Sequence, residues 1–430
     1  MLKHIFQYRR YLFLYLAILT MLIQSFVVST AIKGLLLPYV FILSQFSLDL
    51  IRVLLNRKTI NVFSYFIIFF FSFVFWQLLA QLFNAIYQPV FYTFPTAILL
   101  SPENASVSIF RNSMITQSMY LITCIIFFLY LLKYMQTANS AEMIIKIARF
   151  GIIVFVVYGF VEYIGYFITG HSIDVISNRI TAVDYHYGKT QLITLGGLII
   201  PRIKSLTSEP SVFSFSVLPF AILFYYMKDK IYILFLIAAL LSTSTTAIIG
   251  IIMFIIIEAV VFKKYVKLGI TLIAVLAFIS IVDTTILFDF YKYTYLKLSL
   301  QHVSGIDRFE NFHNSLAFFF SSDVFHFLFG YGFGYIRSVD GFSTLLVNIG
   351  LVGFIAYVAF FAYPLLKLKY NSDYKKGLLV SNIVLMALIF ISVTEFYCFH
   401  IWFLAALAWY EYLKEKRHAP LIRCKQIQYA

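Results

Sequence analysis

Apolar runs about as long as a bilayer core is thick recur along the whole chain, and they limit the fold more than any motif does. The run VFSYFIIFFFSFVFWQLLAQLFN (62–84) is typical. A segment of roughly 18 or more apolar residues marks a transmembrane helix, because hydrocarbon offers the backbone no partner and a helix satisfies its own hydrogen bonds. A β-barrel would show short alternating segments, and these runs do not alternate. Of 430 residues, 62% are hydrophobic and 12% charged, which excludes a soluble domain. The sequence therefore predicts an all-α polytopic membrane protein, a single integral membrane domain over 1–430 with no internal repeat.

About twelve spans are expected, each near ~20 residues with several shorter. Their limits are 11–30, 35–55, 62–84, 114–133, 150–169, 211–227, 231–244, 246–262, 268–287, 345–366, 377–394 and 397–413. The stretch 231–262 reads as two short helices broken at STSTT (242–246), or as one long tilted helix. The basic N-terminus, MLKHIFQYRR, leads into a run too long for a typical signal-peptide core, so the first span is expected to stay in the protein.

Placing both termini in the cytoplasm puts 23 of the 33 lysines and arginines on the inner side, as topogenic bias requires. Merging 231–262 would move every later basic loop outside, so the bias favours the break. The net charge of +14 is thereby absorbed by membrane topology, and no nucleic-acid partner is expected. Three outer segments are long: 85–113, 170–210 and 288–344. Long loops are usually functional or disordered, and the aromatics, Gly and scattered charge in these favour ordered, working loops.

Polar residues that depart from this background are the candidates. In PRIKSLTSEPSVFSF (201–215), Arg202, Lys204 and Glu209 precede an apolar helix. Pro210 suits a first helical position and Ser208 or Glu209 a cap. Capping does not account for Arg202 and Lys204 on the outer side. The last long loop carries Arg308, Glu310, His313, Arg337 and Asp340, with GYGFG at 330–334. Gly330, Gly332 and Gly334 allow a tight turn or a close backbone approach to a ligand, although no strand precedes them as a dinucleotide site demands. Glu310 and His313 would share a helix face, a spacing used by metal proteins that need further ligands absent here. His302 and His326 read as aromatic fillers, and Cys124 and Cys398 as small core residues.

Asp49, Glu162, Glu258, Asp283 and Glu395 lie in or near apolar runs, where an ionisable group is a functional candidate by default. Asp49 and Arg52 read as a local ion pair, Glu258, close to Lys263, as a residue that snorkels inward, and Glu162 as a packing or cavity residue.

The order of these parts resembles the bacterial O-antigen polymerase and ligase superfamily, in particular Wzy-type polysaccharide polymerases. The parts are RIKSLTSEPS (202–211) before a span, LSTSTTAIIG (241–250) between two short spans, the loop from Arg308 to the FGYGFG ending at Gly334, and NIGLVG (348–353) opening the next span. The likeness covers about 190–360. Ligases of this superfamily commonly carry SerArg in the Ser/Thr break and a His closing the long loop. Here Ser244 is followed by Thr245, and DGFSTLL (340–346) holds no His, so a polymerase is favoured over a ligase.

The resemblance implies a GT-C-like glycosyltransferase in the bacterial inner membrane with periplasmic loops. It would act on polyprenyl-diphosphate-linked oligosaccharides to build O-antigen, capsule or exopolysaccharide. Arg202, Lys204, Arg308 and Arg337 would hold the diphosphate, with Glu209 as first candidate for the proton acceptor and His313 as second. No cofactor or metal is required. The implied partners are the lipid-linked substrate, membrane lipid, a chain-length regulator and a flippase. A polysaccharide or solute transporter is the competing class, and it would place its ionisable residues in mid-span rather than in loops.

Overall fold

Most of the apolar runs become helices in the computed structural model, which describes residues 10–29, 34–56, 61–87, 109–179, 189–266, 269, 273, 284–299, 301 and 303–427. The N-terminal half holds α1 (Leu12–Leu19), α2 (Leu37–Asn56), α3 (Asn61–Tyr87), α4 (Asn112–Ala138) and α5 (Glu142–Thr169). A hairpin comes next, β1 (Leu192–Leu195) and β2 (Leu198–Pro201), then α6 (Pro210–Tyr226), α7 (Ile231–Leu241) and α8 (Thr245–Val261). The rest comprises α9 (Thr284–Leu298), α10 (Val303–Phe320), α11 (Val324–Phe329), α12 (Gly341–Lys367), α13 (Asp373–Ile391) and α14 (Phe399–Ile427). Six helices among the described residues, α2, α3, α4, α5, α12 and α13, are long and apolar enough to cross a membrane. α6, α7 and α8 are apolar but shorter.

α6 lies at the centre. Phe213, Phe215, Val217, Phe220, Leu223 and Phe224 are all buried, on every side of the helix, which is the pattern of a helix enclosed by others. It packs chiefly against α13 and α7. α14 fills the space beside α4, where Phe127 stacks on Phe399 at 4.3 Å. Small residues allow close approach: a Cβ on Gly250 of α8 would meet Leu218 of α6 at 2.3 Å. Cys124 and Cys398 are buried, as expected of core residues. Asp49 and Arg52 pair at 2.7 Å, as their spacing suggests.

Several expectations change. The span expected over 11–30 has only the eight-residue α1 as helix. The chain then turns, and the backbone N–H groups of Gln24 and Ser25 both donate to the Leu206 carbonyl at 2.9 and 3.1 Å. The break at 242–246 is present: α7 ends at Leu241, Thr243 is left-handed (φ 46), and the Ser244 hydroxyl accepts from Thr246 N to start α8. The span expected over 345–366 belongs to α12, which is interrupted at Gly350 (φ 66, ψ −178). The span expected over 268–287 lies outside the described residues apart from 269, 273 and the first turn of α9; Asp283, His302 and most of 85–113 also fall outside them.

The chain is not wholly α. β1 and β2 form an antiparallel hairpin with Leu195 opposite Leu198 across Gly196 and Gly197, both left-handed (φ 58 and 76). The sequence LITLGGLIIP has the signature of this motif, two β-branched apolar runs flanking Gly-Gly, because a two-residue hairpin turn needs positive φ at both central positions.

Candidate functional site

Polar segments from distant parts of the chain meet at one end of the helices. Residues 24–28 hold 177–179: the Ser177 hydroxyl donates to Ser25 Oγ at 2.6 Å, and Asn178 exchanges bonds with the Val27 backbone at 2.8 and 2.9 Å. Arg202 reaches the 242–244 break, with Nε donating to Ser242 O at 3.1 Å and to Thr243 Oγ1 at 3.0 Å. The Thr246 hydroxyl donates to Ser392 Oγ at 3.3 Å. Arg337 donates to Thr394 Oγ1 at 3.3 Å and forms an ion pair with Glu395.

The segment between α13 and α14 (392–398) is central. It is buried and not helical, so its backbone groups need other partners. Tyr39 Oη donates to Tyr397 O at 2.7 Å, Cys124 Sγ to the same oxygen at 3.2 Å, and Trp402 Nε1 to Phe396 O at 3.0 Å. Two arginines approach this turn. Arg337 comes from the last long loop, its side chain 44% exposed. Arg179 comes from 177–179, its guanidinium 5.8 Å from the centre of the Tyr397 ring, with Nη1 donating to Gln24 O at 3.1 Å. A solvent-open cleft is lined there by Gln117, Gly334, Arg337, Asn348, Glu395 and Tyr397, among others. Glu395 places one carboxylate oxygen on Arg337. The other, Oε2, is buried with no hydrogen-bond partner among the described residues. A buried carboxylate oxygen without a donor is costly.

The glycine loop shapes the other wall. α12 is interrupted at Gly350, and the carbonyls freed there accept from the loop: Tyr331 N donates to Val347 O and Gly332 N to Asn348 O, each at 2.9 Å. The Asn348 side chain bonds Ile336 in both directions, at 2.9 and 3.0 Å. A Cβ on Gly330 would lie 2.5 Å from Asn348 O and Gly350 N, and one on Gly350 would lie 2.4 Å from Leu328 O. These glycines therefore bring backbone against backbone. Gly332 and Gly334 meet side chains of α3 and α4, namely Gln77, Gln81, Met114 and Gln117. One face of α3 carries an amide ladder for this loop: Gln77 bonds Phe333 N at 2.9 Å and Phe333 O at 3.2 Å, while Gln81 and Asn84 donate to Tyr331 O at 3.3 and 3.0 Å.

His326 stacks on Tyr331 at 4.1 Å, as an aromatic filler would. It also bonds Asn84 Oδ1 at 2.8 Å through Nε2 and pairs with Asp323 through Nδ1. Burial raises the Asp323 pKa, but the His326 contact and two backbone N–H bonds outweigh it and hold the carboxyl below its ordinary value.

The remaining candidates separate into groups. Lys204 is buried, and its ammonium bonds Asp174 at 2.8 Å, Glu162 at 3.3 Å and Ser205 O at 3.3 Å. It is committed to two carboxylates rather than presented to a diphosphate. Arg202 is half-buried against the Ser/Thr break, and its Nη1 also donates to Gln191 Oε1 at 3.3 Å. Glu209 is the N-terminal flanking residue of α6 with Pro210 in the first turn, but its side chain makes no capping bond. It is exposed and accepts from the Ser211 hydroxyl at 3.0 Å. Arg308 and His313 lie on α10, where His313 is exposed and stacks on Phe309 at 6.1 Å. Among the described residues, no hydrogen bond or ion pair joins Glu209, Arg308 or His313 to one another or to the cleft. Glu258 pairs with Lys264 at 2.8 Å and accepts from Tyr226 Oη at 2.8 Å.

Sequence reasoning placed Arg337 among the site residues and flagged Glu395 only as an ionisable group near an apolar run. It did not single out Arg179, or the buried Arg111, whose guanidinium lies 3.9 Å over the Tyr335 ring. Both are cations in segments that the charge bias of the sequence assigns to the outer side, the same signal that drew attention to Arg202. No family model matches this chain, and no curated protein and no solved structure matches it.

Proposed function

We propose that this protein is a membrane glycosyltransferase that polymerises polyprenyl-diphosphate-linked oligosaccharide units, with the cleft beside Arg337 and Glu395 as its reaction site. One observation carries the reading: two arginines from separate loops converge on a single buried turn beside an open cleft, and a carboxylate oxygen of that turn lacks a partner. In the reaction, a sugar hydroxyl of the acceptor unit attacks the anomeric carbon of the donor. The bond from that carbon to the diphosphate oxygen breaks, and the diphosphate leaves with the electron pair. Arg337 and Arg179 would bear on the growing negative charge, since the guanidinium fork matches phosphate oxygens. Glu395 would accept the hydroxyl proton, in preference to Glu209 and His313, which do not line the cleft. The orientation with these loops on the outer face rests on the charge bias of the sequence.

A translocation reading would instead build on the buried Lys204–Glu162–Asp174 group, because ionisable residues beside a span are its usual signature. One experiment separates the two. In a deletion strain, surface polysaccharide on a gel is expected to collapse from a ladder to a single repeat unit on its lipid anchor. Retention of full-length ladders overturns the proposal. Loss of all outward-facing material, with lipid-linked units trapped inside, selects translocation.

A further inference from the structure

The β1–β2 hairpin and α9 expose large apolar side chains although neither spans the helical bundle. Leu198 and Ile199 of the hairpin are 62% and 59% exposed, and Leu192 is exposed as well. On α9, Phe288, Tyr291 and Tyr295 are exposed at a spacing of three and four residues, so they share one helix face with Lys292. The two elements form one unit. β1 packs on α9, and the Gly196 N–H at the hairpin turn donates to Asp289 Oδ2 at 2.8 Å. Water-facing loops rarely carry such a set, and contiguous exposed apolar surface marks an interaction site.

The segment after β2 limits the height of the hairpin. Ile203 and Ser205 pack on Gly159 of α5, at 3.0 and 3.2 Å from the position of an added Cβ. Gly159 lies ten residues before the helix end at Thr169, which corresponds to about 15 Å of rise. A four-residue strand is about 13 Å long. Leu198 lies five residues before Ile203 and so stands at most about 17 Å from the level of Gly159, which brings the hairpin about level with the last turns of α5, where Ile164, Phe167 and Ile168 are exposed. This apolar surface runs level with the outer end of a membrane-crossing helix. Its composition also matters. Aliphatic Leu192, Leu198 and Ile199 suit acyl chains and offer a sugar nothing to stack on, while Tyr and Lys on the neighbouring helix suit the headgroup level.

We infer that the hairpin and α9 form an interfacial anchor that lies in the lipid leaflet on the side of the cleft. The anchor fixes the depth of Arg202, the residue directly after the end of β2. This inference rests on exposure and chain geometry and stands apart from the proposed reaction.

The test uses the full chain in phosphatidylcholine–phosphatidylglycerol vesicles. Cys424→Ser removes one thiol, and the buried Cys124 and Cys398 do not react with a bulky maleimide. Leu198→Cys, Ile199→Cys and Tyr291→Cys are each labelled with a polarity-sensitive fluorophore, and Lys228→Cys, an exposed position in the turn between α6 and α7, is the aqueous control. Lipid carrying a nitroxide near the head of its acyl chain is expected to quench all three labels several-fold more than aqueous iodide does, with the order reversed for the control. Quenching by iodide alone at the three positions would show a water-facing surface and overturn the anchor. Shielding from both quenchers would show that protein covers the patch, a second copy included, and would overturn it equally.

Discussion

Replacing Lys204 with methionine isolates what the buried charge cluster does. The lysine is 2% exposed, the Asp174 side chain 0%, and each carboxylate has its charge set against the one ammonium. Methionine keeps the length and apolar stem and removes the charge. Two buried carboxylates are then left uncompensated, and breaking a buried pair in this way costs about 3–5 kcal/mol. The pH dependence gives a sharper signature. In the native protein, burial pushes the Asp174 pKa up, but attraction and hydrogen bonding from Lys204, with bonds from Ser177, pull it below its ordinary value. A depressed carboxylate contributes stability above its unfolded pKa of about 3.9. That stability is lost as pH falls through the folded value. The contribution of Asp174 to native stability should therefore hold from neutral pH down to about 4 and weaken below. Without Lys204 the burial effect dominates and the sign reverses, so the variant should gain stability as pH falls from 7 towards 5. Thermal unfolding of both proteins in detergent across that range reads this directly. Asp174→Asn in the methionine background should recover part of the loss. An unchanged unfolding temperature, combined with loss of polymer, would refute its role as the counter-charge of the two carboxylates and return Lys204 to direct contact with substrate.

Gly350→Ala forces a left-handed residue with a Cβ 2.4 Å from Leu328 O, so backbone strain of about 1–2 kcal/mol adds to displacement of the glycine loop. Lower thermal stability together with loss of polymer is expected, and normal values for both would contradict the backbone contact. Asn348→Ala leaves the Ile336 N–H and carbonyl without their side-chain partner inside the protein, at about 1–3 kcal/mol for each buried group. Unfolding temperature checks this, and no decrease would show that the bonds are dispensable. In the proposed reaction, Glu395→Gln keeps shape and removes the proton acceptor, whereas Arg337→Lys keeps charge and removes the fork. Each should reduce polymer formation at least about 100-fold on the gel with normal membrane insertion, the scale typical of a lost acid–base or charge-stabilising group. Long chains from both variants would remove the cleft from the mechanism.

How far the site was legible depends on whether a residue's meaning is local. The apolar helices, the break at Ser242–Thr246, Pro210 at the start of α6 and the Asp49–Arg52 pair were readable, because each rests on residues within a few positions. The hairpin was readable too, from Gly196–Gly197 between β-branched runs, and was missed because the surrounding pattern pointed to helices alone. Lys204 was visible as an outlier, but its partners lie 30 and 42 residues away, and no periodicity links them. The same holds for Arg337 and Glu395, 58 residues apart. The interruption at Gly350 was hidden because a glycine inside an apolar run is ordinary in membrane helices. Only contact with Gly330 shows why that position leaves the helical region.

The distribution of helix breaks carries the functional argument further than any single residue. A chain surrounded by hydrocarbon leaves the helix only where protein or a polar cavity meets its backbone. Here Arg202 tends 242–243, Asn348 tends Ile336, the amides of α3 tend 331–333, and Tyr39 and Trp402 tend 392–398. Thr246 bonds Ser392, and Arg337 bonds Thr394 and Glu395, so the 242–246 break and the last long loop are both tied to the 392–398 turn. By contrast, the turn after α6 is a short one, closed by a left-handed Lys228 that is itself exposed. A bundle needing only to stand in a membrane gains nothing from such breaks at one end, since each adds polar backbone to bury. Their concentration around the cleft with Arg337 and Glu395 agrees with the proposed site, and it marks the end of the molecule where substitutions should separate activity from folding.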